Sequence, residues 1–360
     1  MSNTNPTVVL DSLPKIIRKI PSDCLESSAL RSVYYLVRDL SMALLLVYGI
    51  ANIQSWIFGP ILALVLGFVL TGLFVVGHDA GHRSFSKSTK LNDFVGHLTM
   101  SLTYWPFHVW RLSHDIHHRY THNIDRDIAW VPFTYEKYQT WPSSMQRLYL
   151  WTRSSFFFIG SVFFTSYFVK DALRGQRSKH FKKTEQKQIQ LSLAVMFLWM
   201  VLSFVGAIYF YGIYGFVCFV LLPQLGFHFW LSTFTLFHHT HNEVNFMPAE
   251  SWSPEKAQLG STIHVDYPFF VEWLCHDINW HVPHHVCVGV PHYHLRRAHQ
   301  ALKTFYPEIV REEKISFSLV KNVIEQCQFI KSKTPPDMTW ISKAEKEQVL
   351  RTLPEPSLMG

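Results

Sequence analysis

Four apolar runs dominate this chain: about Leu40 to Phe58, Pro60 to Gly77, Gln190 to Phe210 and Tyr214 to Phe237. A helix that crosses a hydrocarbon core about 30 Å thick needs about 20 such residues. Only a turn separates the first run from the second and the third from the fourth, so they predict two helical hairpins. Inside lipid every backbone N–H and C=O must be satisfied within the fold, which leaves helices as the economical solution. The expected class is therefore an all-α integral membrane protein with four transmembrane helices. At 360 residues, 48% of them hydrophobic, the chain has room for one membrane domain and soluble extensions.

Charge orients these helices. The two turns lack Lys and Arg, whereas the N-terminal segment, residues 78–189 and everything after 237 carry the basic residues. Basic segments stay on the cytoplasmic side, so all three parts are expected there. This predicts an N-terminal cytoplasmic or interfacial segment at 1–38, a membrane domain at 39–237 with a cytoplasmic insertion at 78–189, and a cytoplasmic cap at 238–360. The cap should be polar and mainly helical, to judge from "RRAHQALKTFYPEIVREEK" and "SKAEKEQVLRTL". Two weaker apolar pieces, about 94–109 and 154–168, read as interfacial or re-entrant helices. Whether the home membrane is a plasma or thylakoid membrane stays open.

The formal charge of +7 is spread out, with no basic run beyond "HFKKTEQK", so it is a topology signal and no nucleic-acid partner is expected. Five scattered cysteines without a C-x-x-C pair fit free thiols in a reducing compartment. No signal peptide is expected, because "KIIRKI" stands where an apolar core would be. The segment "LDSLPKIIRKIPSDCL" reads either as a basic amphipathic strip on the membrane or as a disordered leader.

Histidine is the compositional outlier: 20 of 21 copies fall in the windows 78–122 and 228–299. Residues at i, i+3 and i+4 share a helix face, and neutral imidazole is a common metal ligand. "HDAGH" places His78 and His82 one turn apart as the second run ends. "HDIHH" contributes His114, His117 and His118, and "HVPHH" contributes His281, His284 and His285. The fourth run ends on "HHTH", with His238, His239 and His241. One H-x-x-x-H alone is weak, but this constellation predicts a metal site. His97, His108, His180, His264, His292, His294 and His299 are read as surface or core residues. His122 and His276 are candidates to orient a ligand. Pro283 inside the third box predicts a helix starting near Val282 with His281 as its cap.

Eight boxed histidines exceed one zinc site, and the zinc-protease motif needs Glu where Asp79 stands. Imidazole-rich ligation with open positions suits iron or copper, and the count fits two ions. Metals at the rim of a bilayer can meet an acyl chain. Its C–H bonds lie beyond acid–base chemistry, since no side-chain pKa approaches that of an alkane, and a redox metal that activates oxygen can break them.

The boxes in the contexts "GHDAGHRSF", "WRLSHDIHHRYTHN" and "CHDINWHVPHH" resemble those of the membrane fatty-acid desaturases. With "LNDFVGHL", "YWPFHVWRLSHD", "HFWLSTFTLFHHT" and "AQLGSTIHVDYP", the likeness spans roughly 60 to 300 and is greatest to the cyanobacterial and plastid acyl-lipid omega-6 (delta-12) branch. The resemblance implies a centre of two iron ions that uses O2 as co-substrate to place a cis double bond in a membrane-lipid acyl chain, oleoyl to linoleoyl. It implies His78, His82, His114, His117, His118, His281, His284 and His285 as ligands, with His239 as a ninth and His238 as its competitor. Asn242 stands where relatives often carry Pro. No His-Pro-Gly-Gly haem segment is present, so a fused cytochrome b5 is not expected; the resemblance implies a separate donor, ferredoxin.

Other outcomes share such a centre: an omega-3 desaturase, or an acyl or carotenoid hydroxylase. A haem or metal-binding membrane carrier is a different class. It would want facing histidines or ionisable residues at mid-membrane, yet only His228 lies well inside a run and the second and third runs hold no ionisable residue.

Overall fold

Among the described residues, three helical runs are long and apolar enough to cross a membrane: Ala29–Ile53, Phe58–Gly81 and the 57 residues Lys183–His239. They come from a computed structural model of the chain, which describes residues 10–129, 131–154, 156–331, 339–341 and 345. The first run, α1 (Ala29–Ile53), begins well before the apolar stretch because Arg31, Arg38 and Asp39 extend the helix outside it. Ser28 caps its start by accepting from Arg31 N, and Gln54 ends it in the left-handed region at φ 43°. Ser55 Oγ then accepts from the main-chain N of Ile57 and Phe58 to open α2 (Phe58–Gly81). At about 1.5 Å per residue, His78 stands about 30 Å from the start of α2, one hydrocarbon thickness away.

Helix α2 is the central element. It packs against α1, against α3 (Thr89–Ser101) and against the last apolar helix, α7 (Leu222–His239). A Cβ on Gly67 would lie 2.4 Å from Pro223 O, and one on Gly226 would lie 3.1 Å from Leu64 O. Small residues therefore let α2 and α7 cross backbone to backbone, the packing that replaces the hydrophobic drive inside lipid.

The 57-residue run is not straight. Its first part, α6 (Gln186–Gly215), contains Gly212 at φ 58° and ψ −140°, outside helical geometry. The rings of Phe204 and Phe216 lie 5.7 Å apart, although twelve residues of straight helix would separate them by about 18 Å. The chain turns back there, and a π-helical segment, Phe216–Leu221, leads into α7.

The weaker apolar pieces become short helices, neither among the crossing candidates. The first breaks at Pro106 into α3 and α4 (Phe107–Tyr120), and the second is α5 (Ile159–Leu173). After residue 239, α8 (Pro254–Gly260) precedes a parallel ladder of β1 (Ile263–Asp266) with β2 (Arg311–Lys314), registered Ile263 to Arg311. An all-helical expectation omitted that ladder, because four residues are too few to carry a period. Helix α9 (Phe269–Leu274) and α10 (His281–Val286) follow, then α11 (Leu295–Phe305). His281 is the first residue of α10 and Trp280 its cap, one position earlier than expected. Pro283 still sits in the first turn, where its missing N–H is not needed.

The basic N-terminal segment does not lie free. Ile16, Ile20 and Cys24 are buried against Leu259, Val282, Val286 and Leu302, so its apolar side docks under α10. All five cysteines are free thiols. The helix expected over "SKAEKEQVLRTL" lies outside the described residues, apart from Glu345.

Candidate metal centre

Four helices aim histidines at one buried place. Helix α2 brings His78 and its C-cap His82, α4 brings His114, His117 and His118, α7 ends on His239, and α10 carries His281, His284 and His285. At 100° per residue, His114 and His118 lie about 40° apart on α4 while His117 is turned about 60° the other way. The box therefore divides. His114 and His118 join His78, His82 and His284 in one group, and His117 joins His239 and His285 in another, the facing nitrogens within 4.8 Å inside each group. His281 belongs with the second, its Nε2 standing 2.9 Å from His239 Nε2 and 3.0 Å from His285 Nε2. The groups abut where the rings of His118 and His285 stack at 4.2 Å.

These contacts fit metal ligation. Nε2 of His118 lies 3.0 Å from Nε2 of both His114 and His284. With metal–nitrogen bonds of about 2.1 Å, two imidazoles on one ion would stand about 3.0–3.4 Å apart, so the spacing suits nitrogens that share an ion. Burial pushes the imidazoles of His114, His118, His281, His284 and His285 well below the usual histidine range, and neighbouring imidazoles add to the shift. They are held neutral, as a ligand must be. His82 Nε2 is buried with no hydrogen-bond partner, a donor set waiting for an electrophile.

Three side chains orient the rings from behind, and sequence reasoning did not single out any of them for this work. Asp127 Oδ1 accepts from His117 Nδ1 at 2.9 Å and is itself held by the main-chain N of Ala129 and, through Oδ2, of His122. Gln258 Oε1 meets His285 Nδ1 at 3.1 Å, while its amide donates to His118 O. Asp79 Oδ1 faces His78 Nδ1 at 3.5 Å. The signals were a carboxylate downstream of "HDIHH", a glutamine inside "AQLGSTIHVDYP" and the carboxylate inside "HDAGH" itself.

The remaining histidines go elsewhere. His238 is buried with its ring 4.7 Å from that of His281, but it joins neither group. His241 lies 3.4 Å from Glu313, His228 bonds Ser161, His97 bonds Ser192 and His299 bonds Glu312. His264 stacks on Trp280. His122 reaches the centre through its main-chain N on Asp127; His276 meets no ligand directly.

An apolar cavity opens onto both groups. Phe74, Trp105, Trp110, Phe164, Leu231 and Phe234 line it together with His78, His114, His117, His238, His239 and His281. A chain of methylenes can lie there with water excluded and the imidazoles alongside.

A family model described as fatty acid desaturase matches residues 54–314. A sn-1 oleoyl-lipid 12-desaturase of Synechocystis sp. is 40% identical over 326 residues, covering 91% of each chain. Another, from Picosynechococcus sp., is 39% identical over 89% of this chain and 88% of its own. An omega-6 fatty acid desaturase, chloroplastic, of Arabidopsis thaliana is 33% identical over 89% of this chain and 68% of its own.

Proposed function

The chain belongs to the fatty acid desaturase family, and we propose that it is an O2-dependent diiron enzyme that places a cis double bond in oleoyl chains of membrane lipids. It is an oxidoreductase that desaturates fatty acids, and the names of its relatives support the delta-12, omega-6 position, giving linoleoyl lipid. The observation that carries the diiron reading is the split of nine histidines into two abutting groups that line an apolar cavity. In this reading His78, His82, His114, His118 and His284 hold one iron, and His117, His239, His281 and His285 hold the other.

Bound iron supplies the oxidant: O2 becomes two waters by taking two hydrogens from adjacent methylenes, two electrons from a donor and two protons from solvent. The protein's own part is placement. The aromatic walls hold an extended chain against the ring edges, which sets which methylenes react, and they keep water from the site. Asp127, Gln258 and Asp79 bond or face the Nδ1 atoms of His117, His285 and His78, which leaves Nε2 of each ring for the metal.

For topology we propose four spans in two hairpins. The Gln54 turn and the break at Gly212 support the reversals. The distribution of basic residues supports a cytoplasmic side for the histidines, with 1–38 as the leading segment, 39–237 as the membrane domain with its insertion 78–189, and 238–360 as the cap. The electron donor is a separate protein, ferredoxin. Exposed Lys170, Arg174, Arg177, Lys179, Lys182 and Lys183 offer an acidic carrier a complementary face.

The test is expression in a host that contains oleoyl lipids but no polyunsaturated ones, with fatty acids identified by mass spectrometry. New linoleate is expected; a hydroxy acid, or no new product from iron-loaded protein, would overturn the proposal.

A further inference from the structure

Helix α1 gives no histidine to either group, yet it carries Arg38 and Asp39 at the edge of its apolar part. Asp39 is 1% exposed. A buried carboxylate on such a helix is costly unless it is paired, and unpaired ones are rare in membrane helices. Its partners are Arg38 Nε at 2.7 Å and His276 Nε2 at 2.5 Å. Arg38 also donates to Trp273 O and lies 3.3 Å from His276 Nδ1. The His276 ring packs 4.6 Å from that of His292. His292 donates to Asp79 Oδ2 from its main-chain N at 2.9 Å and its Nδ1 at 2.8 Å, and Asp79 Oδ1 faces the ring of His78.

An unbroken line of contacts thus runs from α1 to the first box. From it we infer that Asp39, His276 and His292 are positioning residues for the five-histidine group, acting through Asp79 on His78. The inference rests on reading His78 as a metal ligand. With Oδ2 occupied twice by His292, the Asp79 carboxylate cannot rotate, and its other oxygen stays on His78 Nδ1. That bond fixes the ring and leaves Nε2 for the metal.

Two independent features accommodate this line. A Cβ on Gly72 of α2 would lie 2.3 Å from Leu274 O and 3.0 Å from Asp39 Oδ2, so the pair meets only across a glycine. His276 and Asp277 are consecutive non-glycine residues at φ 56° and 54°. That sparsely populated conformation persists only where its surroundings enforce it, and here it turns His276 away from the third box towards α1.

The test uses the full chain in lipid nanodiscs, loaded with iron, with Asp39→Asn, Gly72→Ala and His292→Asn as separate variants. Chelator competition and the Mössbauer spectrum follow the two irons individually. Each variant should weaken one iron by about 10- to 100-fold and change its spectrum, leaving the other iron near the parent's; the thermal melt should stay near the parent's in Asp39→Asn and His292→Asn and fall in Gly72→Ala, whose Cβ meets Leu274 O. His292→Asn lies off α1 and puts no new atom against a backbone, so it decides the matter where Asp39→Asn fails to insert. Parent-like retention of both irons in the folded variants overturns the inference, and so does global unfolding of all three, since the role would then be structural. A parent chain that binds no iron overturns the metal reading itself and this inference with it.

Discussion

Asp127 offers a graded test of how far the metal centre depends on its supports. Its two oxygens receive three donors: His117 Nδ1 and Ala129 N on Oδ1, and His122 N on Oδ2. In Asp127→Asn the better amide orientation keeps its oxygen towards His117 and Ala129. The NH2 then faces the His122 N–H, so one bond is lost and the bond to His117 loses its charge. A charge-assisted bond is worth about 1.5–3 kcal/mol and a neutral one about 1 kcal/mol, so the ring loses about 0.5–2 kcal/mol of orientation, on the order of tenfold in rate. In Asp127→Ala all three donors lose their acceptor and the effect should reach about 100-fold, the upper end for such supports. The assay is linoleate formation per chain, with iron content measured on the same samples. Parent-like rates in both variants, or an alanine milder than the asparagine, would refute the argument that Asp127 orients His117.

Three further outcomes are expected. Replacing His78, His117 or His284 by Ala should abolish desaturation without preventing membrane insertion, while His180→Ala, on a ring that touches Tyr167 far from either group, should do neither; product analysis and membrane fractionation read both. Gly67→Ala forces a Cβ against Pro223 O and should cost about 1–3 kcal/mol in a detergent melt, whereas Gly206→Ala meets nothing within 4 Å and should leave the melt unchanged. Impermeant maleimide applied from outside the cell should label Gln54→Cys and leave Lys179→Cys unlabelled, and the reverse pattern would invert the proposed topology.

The apolar runs were legible because lipid demands length and composition together. Their ends were not, because Arg31, Arg38 and Asp39 continue α1 in a polar sequence that hydropathy cannot distinguish from a loop. The boxes were legible through the helical period. The competition between His238 and His239 was not, since neighbours point about 100° apart and the rotation of α7 is set by its crossing with α2 at Gly67 and Gly226, a contact absent from any local pattern. Gln258 and Asp127 reach their histidines only through the fold. The route by which His276 could act was not legible either: five residues from His281 in sequence, it is turned by its own backbone towards α1.

The same helical phase explains why the centre is one unit. Because α4 gives two rings to the first group and one to the second, and α10 gives one and two, each group needs three of the four elements. Helices α2 and α7 are the exceptions, each serving a single group, and they are the two that cross backbone to backbone. The crossing therefore sets how far His78 stands from His239, while the two mixed boxes set how the groups meet. A shift of α10 alone would move ligands of both groups at once, so the packing of Ile16, Ile20 and Cys24 beneath it constrains the whole centre.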